Sequence, residues 1–182
     1  MLPKSQIFVF DHMISDEMCD KVISLFQEVP LREEKYGKNC NVECKIFKVN
    51  DIIDNFKRTF FDKSIFEIVG NIVKELRSYN IDIFGDSGYQ IRKIHGPTRI
   101  HTDGVLTGES VNPMEIRNMS IIIALNEDYD GGELCFPEQD FTIKLRKGQA
   151  VAFPPYWTHP HYTNELKNNT FRYTINTWLY GR

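Results

Sequence analysis

A chain of 182 residues is long enough for one compact domain with a substantial core, and too short to suggest two. Its 41% apolar, 26% charged and 13% aromatic residues are typical of a globular protein, and a formal net charge of −3 excludes a broad nucleic-acid-binding surface. No apolar run reaches the length of a transmembrane helix, so no membrane partner is expected. The apolar stretch before Asp11 is too short for a signal peptide, which predicts a cytoplasmic protein.

The first eighty residues predict one strand followed by two helices. The segment IFVF (7–10) is short and apolar, as an opening strand would be. Ser15 is a candidate N-cap for a helix that Pro30 ends, and a second helical pattern covers residues 52–79 with a break near Asp62–Ser64. The apolar residues of the first helix recur at helical spacing: Met18, Val22, Leu25, Phe26 and Val29.

From residue 81 onward the chain predicts short strands separated by turns. Seven or so strands after two helices indicate an α+β protein whose second half is a β-sandwich or barrel. The pair Gly131–Gly132 is expected to form a turn that needs positive φ, because glycine adopts that conformation without steric cost. The main predicted strands are YQIRKI (89–94), MSIIIALN (119–126), ELCF (133–136), DFTIKL (140–145), QAVAF (149–153) and FRYTINTWLY (171–180).

The four cysteines do not form a recognisable metal site. Cys40 and Cys44 make a C-x3-C pair, but no second pair completes a zinc site. Free thiols in a reducing compartment are therefore expected.

The segment RIHTDG (99–104) contains a candidate metal-binding pair. Side chains two residues apart in an extended segment point to the same side, so His101 and Asp103 can reach one ion. Together with a second histidine they would form the two-histidine, one-carboxylate triad that holds Fe(II) and leaves coordination positions open. The alternative is a turn aspartate that caps its own backbone beside an exposed histidine.

A second segment, FPPYWTHPH (153–161), supplies the further histidines. His159 and His161 are again two residues apart, and Arg172 follows in an alternating strand. A histidine and an arginine on adjacent antiparallel strands can both point into a barrel, where arginine would bind a carboxylate in a bidentate, charged contact. The alternative for Arg172 is an ordinary surface cation on a strand.

Several segments together resemble the Fe(II)/2-oxoglutarate-dependent oxygenases of the prolyl 4-hydroxylase-like branch. The resemblance covers essentially the whole chain in the expected order, and its segments are specific as a set. They are IFVFDHMISDEMCDKVISLFQ (7–27), HTDG (101–104), RNMSIIIALNEDYDGGELCF (117–136), KGQAVAFP (147–154) and RYTINTWL (172–179).

The resemblance implies a double-stranded β-helix (jelly-roll) core with N-terminal helices packed on one sheet. It implies a single oxygenase domain over residues 1–182, with the supporting strand and helices in 1–80 and the jelly-roll catalytic core in 81–182. It also implies Fe(II), 2-oxoglutarate and dioxygen as cofactor and cosubstrates, with ascorbate as a candidate reductant.

The same resemblance assigns roles to individual residues. His101, Asp103 and a distal histidine correspond to the iron ligands, and Arg172 corresponds to the partner of the 2-oxoglutarate C5 carboxylate. Spacing to Arg172 favours His161, at eleven residues, whereas the offset from Phe153–Pro154 favours His159; we choose His161. His159 would then lie behind the ligands or line the cavity.

The implied activity is hydroxylation of an unactivated C–H bond in a peptidyl, including prolyl, or small-molecule substrate, with release of succinate and CO2. The alternatives are a cupin-like jelly-roll with another metal, and a non-catalytic binding module. Specificity is expected in the polar loops around 32–48 and 104–116. Phe153, Trp157 and Trp178 are expected in the core, whereas Arg117 and Asn118 could line the cavity or satisfy buried strand ends.

Overall fold

The computed structural model describes residues 5–28, 32–35, 43–104 and 116–181. This part of the chain contains two α-helices, α1 (Asp16–Glu28) and α2 (Asn55–Arg77), and fourteen strands in three sheets. The strands are β1 (Phe8–Phe10), β2 (Arg32–Lys35), β3 (Glu43–Lys48), β4 (Ile83–Asp86), β5 (Gln90–Ile94), β6 (Thr98–His101), β7 (Arg117–Ala124), β8 (Asp130–Gly131), β9 (Leu134–Phe136), β10 (Phe141–Ile143), β11 (Ala150–Phe153), β12 (His161–Thr163), β13 (Leu166–Lys167) and β14 (Arg172–Gly181).

Two of the sheets form the main framework. The larger has the order β1-β11-β7-β14-β5-β3-β2, with β4 also paired to β14, and the smaller has the order β10-β9-β12-β6. Strands β8 and β13 form a third, two-stranded sheet. The result is a mixed fold, mostly sheet with two helices, that is consistent with the predicted jelly-roll.

Both helices begin at capping side chains. The Ser15 hydroxyl accepts a hydrogen bond from the Met18 backbone at 3.3 Å, as predicted, and α2 begins after Asp54, whose carboxylate accepts from two backbone N–H groups. The predicted break near Asp62–Ser64 is wrong, because α2 is continuous from Asn55 to Arg77. Phe61 and Ile65 lie one turn apart on its buried face, so the apolar side of the helix is uninterrupted there.

Strand β7 separates the two main apolar clusters. Met119, Ile121 and Ile123 belong to a cluster that contains buried residues of both helices, whereas Ala124 belongs to a second cluster with residues of the smaller sheet. Both faces of β7 are covered, and this explains why the sequence of the strand is a continuous apolar run. The first cluster supports the expectation that the helices pack on one sheet, which stays a prediction.

The predicted loop at 32–48 is partly wrong. Residues 32–35 and 43–48 are the antiparallel strands β2 and β3, and β3 pairs with β5 in the larger sheet. The remaining residues of that loop and most of the other predicted loop, 105–115, lie outside the described residues, as do the side chains of Cys40 and Cys44. Cys19 and Cys135 are buried free thiols.

One of the three aromatic residues expected in the core is on the surface. Phe153 and Trp178 are buried, but Trp157 is 83% exposed. Trp157 lies in the turn between β11 and β12, where no element of the described chain covers its ring. Separately, neither described helix combines the length and the apolar character needed to cross a membrane.

We expect Ile123→Ala to lower the free energy of unfolding by about 2–5 kcal/mol, because it leaves a cavity where a fully buried side chain packed. Ile53→Ala is the matched control, since Ile53 is 83% exposed and its loss should change stability by less than about 0.5 kcal/mol. Urea denaturation followed by circular dichroism measures both. Equal midpoints for the two variants would contradict the placement of the core.

Candidate metal centre

The pairing of two strands brings the predicted histidines together. Strand β12 runs antiparallel to β6, and His161 is directly opposite His101 in the register. The centroids of the two imidazole rings are 4.4 Å apart. Asp103 follows two residues after His101, where the chain has left the strand.

The three side chains place their ligand atoms around one point. The His101 Nε2 atom lies 3.6 Å from one carboxylate oxygen of Asp103, and the His161 Nε2 atom lies 3.8 Å from the other. All three ligand atoms lie within 4.8 Å of one another. Atoms that bind one ion at about 2 Å are themselves roughly 3–4 Å apart, so the group has the dimensions of a metal site.

Backbone carbonyls orient both imidazole rings. The Nδ1 atom of His101 is 2.8 Å from the Arg99 carbonyl, and that of His161 is 3.1 Å from the His159 carbonyl. A carbonyl only accepts, so each Nδ1 carries the proton and each Nε2 keeps a lone pair directed at the cluster.

His159 has a different environment from His161. Its Nε2 lies 2.9 Å from the Ser5 carbonyl and its Nδ1 lies 2.9 Å from the Thr158 hydroxyl. The ring is 2% exposed, and both of its nitrogens are thus engaged away from the cluster. The structure therefore brings His101, Asp103 and His161 together and leaves His159 outside the group, contributing its carbonyl to the orientation of His161.

Electrostatics favour the protonation states that bind a metal. Burial by itself would raise the pKa of Asp103, but the positive charge that the His161 and His101 rings carry when they are protonated lowers it below its ordinary value. The Ser120 hydroxyl, which donates to an Asp103 oxygen at 2.8 Å, acts in the same direction. Burial lowers the pKa of His161, which keeps the imidazole neutral. An ionised carboxylate and neutral imidazoles are the forms that ligate.

Aromatic side chains close one side of the cluster. The ring centroids of Phe153 and Phe136 lie 4.7 and 5.6 Å from that of His161. Both phenylalanines are fully buried, so this side of the site is dry.

Arg172 lies on the same face of β14 as the residues that approach the cluster. Alternate residues of a strand share a face, so Arg172, Thr174 and Trp178 point the same way. Trp178 is opposite Ser120 in the register, and Ser120 contacts Asp103. The face that carries Arg172 is thus the face directed towards the cluster of His101, Asp103 and His161.

The predicted glycine turn positions Arg172. Gly131 and Gly132 both have positive φ, at 70° and 71°, as expected from the sequence. The Gly132 carbonyl accepts a hydrogen bond from Arg172 at 2.7 Å. Arg172 is 9% exposed and lines a narrow cavity together with Tyr129 and Thr174. The predicted anchor for a carboxylate is therefore inside the fold and not on its surface.

Sequence patterns missed two residues of this interior. Ser120 is the hydroxyl residue within the apolar run of β7, and a lone polar side chain in a buried strand is a signal that could have found it. Tyr129 comes from the turn before Gly131, and no local pattern marks it. Arg117, for which the sequence allows either a cavity-lining or a structural role, donates a hydrogen bond to the Asp103 carbonyl.

A β-sandwich that carries two histidines and one carboxylate around a common point is typical of a class of protein, the non-haem iron oxygenases. The family comparison gives the same class: the model of the 2OG-Fe(II) oxygenase superfamily matches residues 89–180, and the chain belongs to this family. The matched segment contains all three residues of the cluster and Arg172. A search of curated proteins gave no match.

Three solved structures with a similar fold are prolyl hydroxylases. The collagen prolyl hydroxylase of Paramecium bursaria Chlorella virus-1, in its complex with 2-oxoglutarate, is 20% identical, with 97% of this chain and 96% of that chain covered and a TM-score of 0.66. A Trichoplax adhaerens prolyl hydroxylase, in complex with a peptide fragment of the hypoxia inducible factor oxygen degradation domain, is 16% identical (98% and 84% covered, TM-score 0.68). A Pseudomonas putida prolyl-4-hydroxylase is 15% identical (97% and 92% covered, TM-score 0.65).

We expect Ser120→Ala to weaken divalent metal binding about 10- to 100-fold, because the hydroxyl that orients the Asp103 carboxylate is lost. Thr177→Val is the matched control. Its hydroxyl is buried and has no hydrogen-bond partner among the described residues, so the metal affinity should be unchanged. Calorimetric titration with Co(II) measures both affinities. A Ser120→Ala protein that binds Co(II) like the wild type would contradict the assignment.

Alanine variants of the two neighbouring histidines test which of them binds the metal and which only packs in the interior. His161→Ala should abolish stoichiometric Co(II) binding, whereas His159→Ala should retain it and instead lower the thermal midpoint, because two buried hydrogen bonds are lost. Co(II) absorption and thermal denaturation of both variants distinguish the roles. Metal loss in the His159→Ala protein alone would move the third ligand by two residues.

Proposed function

We propose that this chain is an Fe(II)- and 2-oxoglutarate-dependent dioxygenase that hydroxylates an unactivated C–H bond and releases succinate and CO2. The observation that carries the proposal is the cluster of His101, Asp103 and His161 on the same interior as the buried Arg172. Within this family, the cluster supports an iron site and the arginine supports a site for the dicarboxylate.

The donor set fits Fe(II). Two imidazole nitrogens and one carboxylate oxygen are borderline and hard donors, and three protein ligands leave positions for exogenous molecules. Both Nε2 atoms are directed at the cluster by their Nδ1 hydrogen bonds. When bound there, Fe(II) supplies the activation of dioxygen that is coupled to the oxidative decarboxylation of 2-oxoglutarate.

The residues of the chain do the binding and positioning. Arg172 would hold the C5 carboxylate of 2-oxoglutarate, since a guanidinium makes two parallel charged hydrogen bonds to a carboxylate. Its own hydrogen bond to the Gly132 carbonyl fixes the direction of the guanidinium. Phe136 and Phe153 exclude water from the side of His161, which strengthens the electrostatic contacts within the site.

The substrate proposed here is a peptidyl group, including prolyl, or a small molecule. The similarity to prolyl hydroxylase folds, one of them solved with a peptide, supports this class. We propose that residues 1–182 act as a single oxygenase domain. The pairing of β1 with β11 and of β3 with β5 supports it, because strands from residues 1–80 complete the larger sheet of the jelly-roll core.

The cosubstrate site is tested by anaerobic titration with Fe(II) and 2-oxoglutarate, read from the visible metal-to-ligand charge-transfer band. Wild type should develop the band, and Arg172→Gln should need about 10- to 100-fold more 2-oxoglutarate, because a buried, charge-assisted contact is lost. Lys93→Gln is the matched control, since Lys93 is a cation on the adjacent strand that contacts Phe171 and Tyr173.

The outcomes of that titration separate the alternatives. A band in wild type and in Lys93→Gln, with weakened 2-oxoglutarate binding in Arg172→Gln, supports the proposal. Absence of the band in iron-loaded wild type would overturn it. Succinate release in air, and a mass increase of one oxygen atom in prolyl peptides or free proline, would then identify the product class.

A further inference from the structure

One asparagine side chain is bonded to both peptide groups that flank Arg172. The Asn126 Nδ2 atom donates a hydrogen bond at 2.8 Å to the Phe171 carbonyl, which belongs to the peptide group before Arg172. The Asn126 Oδ1 atom accepts a hydrogen bond, also at 2.8 Å, from the Tyr173 backbone N–H, which belongs to the peptide group after it. Because a carbonyl only accepts and a backbone N–H only donates, these partners also fix which end of the amide carries the oxygen.

These two bonds restrict the direction in which the Arg172 side chain leaves the backbone. A peptide group is planar, and the two planes on either side of a residue meet at its Cα atom, where only φ and ψ can turn. Holding both planes from one side chain therefore restricts φ and ψ of Arg172, and with them the Cα–Cβ bond that carries the guanidinium. A guanidinium makes two parallel contacts with a carboxylate only from a defined position, so the restriction matters for binding.

Asn126 acts where the pairing of β7 with β14 ends. The register places Ala124 opposite Thr174, and the Leu125 backbone N–H donates to the Tyr173 carbonyl at 2.9 Å. The Asn126 side chain then takes the place of a backbone partner for the first peptide groups of β14. On the β7 side, the start of β14 is therefore held by a side chain, and a substitution at Asn126 can release it while the rest of the ladder stays paired.

The amide of Asn126 is itself held in place. The residue is 9% exposed, and its Nδ2 atom donates a second hydrogen bond to the Asp128 Oδ1 atom at 2.8 Å. Both hydrogens of the amide and its oxygen thus have partners. A rotation of the amide would break three hydrogen bonds in a buried place, where unmet polar groups are costly.

The segment that carries Asn126 also holds the other end of Arg172. Asn126 and Gly132 both belong to the segment between β7 and β9, and the Gly132 carbonyl accepts the hydrogen bond from the guanidinium at 2.7 Å. One segment of the chain therefore fixes the backbone of the arginine and the tip of its side chain. A binding group is effective when its supporting contacts hold it within about 0.5 Å of the productive position.

We propose that Asn126 is a positioning residue for the cosubstrate: it sets the place from which Arg172 meets the C5 carboxylate of 2-oxoglutarate. The inference rests on the proposed function and adds to it a residue that acts without touching the ligand. Asn126 is not among the residues that line the cavity of Arg172, and its hydrogen bonds go to Asp128, Phe171 and Tyr173. Its effect on the cosubstrate therefore passes through Arg172.

Asn126→Asp tests the proposal with almost no change of shape. The carboxylate keeps an acceptor for the Tyr173 N–H, but it has no hydrogen for the Phe171 carbonyl and lies beside the carboxylate of Asp128. The dissociation constant of 2-oxoglutarate, read anaerobically from the Fe(II) charge-transfer band, should rise about tenfold, which is the effect of roughly one hydrogen bond. Asn126→Ala, which removes the bonds without adding a charge, should show a loss of similar size.

Two further measurements distinguish positioning from a loss of stability. Co(II) affinity without cosubstrate should stay within about twofold of wild type in Asn126→Asp, because none of the Asn126 hydrogen bonds goes to the metal-binding cluster. Val69→Ala is the stability control: Val69 is buried on α2, so its truncation should lower the thermal midpoint and leave 2-oxoglutarate affinity unchanged.

A double variant tests whether the effect passes through Arg172. In the Arg172→Gln protein, adding Asn126→Asp should weaken 2-oxoglutarate binding by less than about twofold, because the group that Asn126 positions is already absent. A further tenfold loss in the double variant would overturn the inference. The same loss in Val69→Ala as in Asn126→Asp would also overturn it, since the cause would then be a general loosening of the fold.

The band in the wild-type protein separates this inference from the proposed function. A normal band with wild-type 2-oxoglutarate affinity in Asn126→Asp and Asn126→Ala would overturn the positioning role and leave the dioxygenase proposal intact. Absence of the band in iron-loaded wild type would overturn the proposed function, and the inference with it.

Discussion

The antiparallel pairing of β6 with β12 is the constraint on which the site depends. It sets His101 opposite His161, and their rings come within 4.4 Å only because that register holds. A slip of one residue would reverse the face on which each side chain lies and would separate the pair. The carbonyls that orient the rings belong to the same two segments, so register and ring orientation are established together. The metal centre is in this sense a property of strand pairing.

One face of the larger sheet packs against the apolar core, and the other face is directed towards the candidate metal site. Ile121, Ile123 and Ile175 face the cluster that contains both helices, while Ser120, Thr174 and Trp178 face the interior near the ligands. Because successive residues of a strand point to opposite sides, a single strand can contribute to both. The polar face is supported by a tightly packed apolar face, which limits the movement of the residues on the polar face. Substitutions in the core are therefore expected to affect function through stability.

His159 and His161 show how far local sequence reasoning reaches. Spacing along the chain named both residues and could only rank them. The decision came from residues distant in sequence: His101 opposite one ring, and the Ser5 carbonyl bonded to the other. Trp157 illustrates the same limit, because a large aromatic residue predicts burial only if another element covers it. The predicted break in the second helix is an error of another kind. The polar residues at 62–64 suggested an interruption, but they fit the exposed side of the continuous helix α2.

The sequence by itself determined the elements whose signals are local. The capping residue Ser15, the positive-φ turn at Gly131–Gly132, the buried run of β7 and the pair His101 and Asp103 all follow from short-range patterns of side-chain chemistry. Only the tertiary structure decided which residues meet across the fold. The contacts of Ser120 with Asp103, of Arg172 with Gly132, and of Arg92 and Arg117 with Trp178 join segments from different parts of the chain. Such contacts depend on strand register and on the closure of one sheet over another, and neither is encoded in the spacing of residues along a single segment.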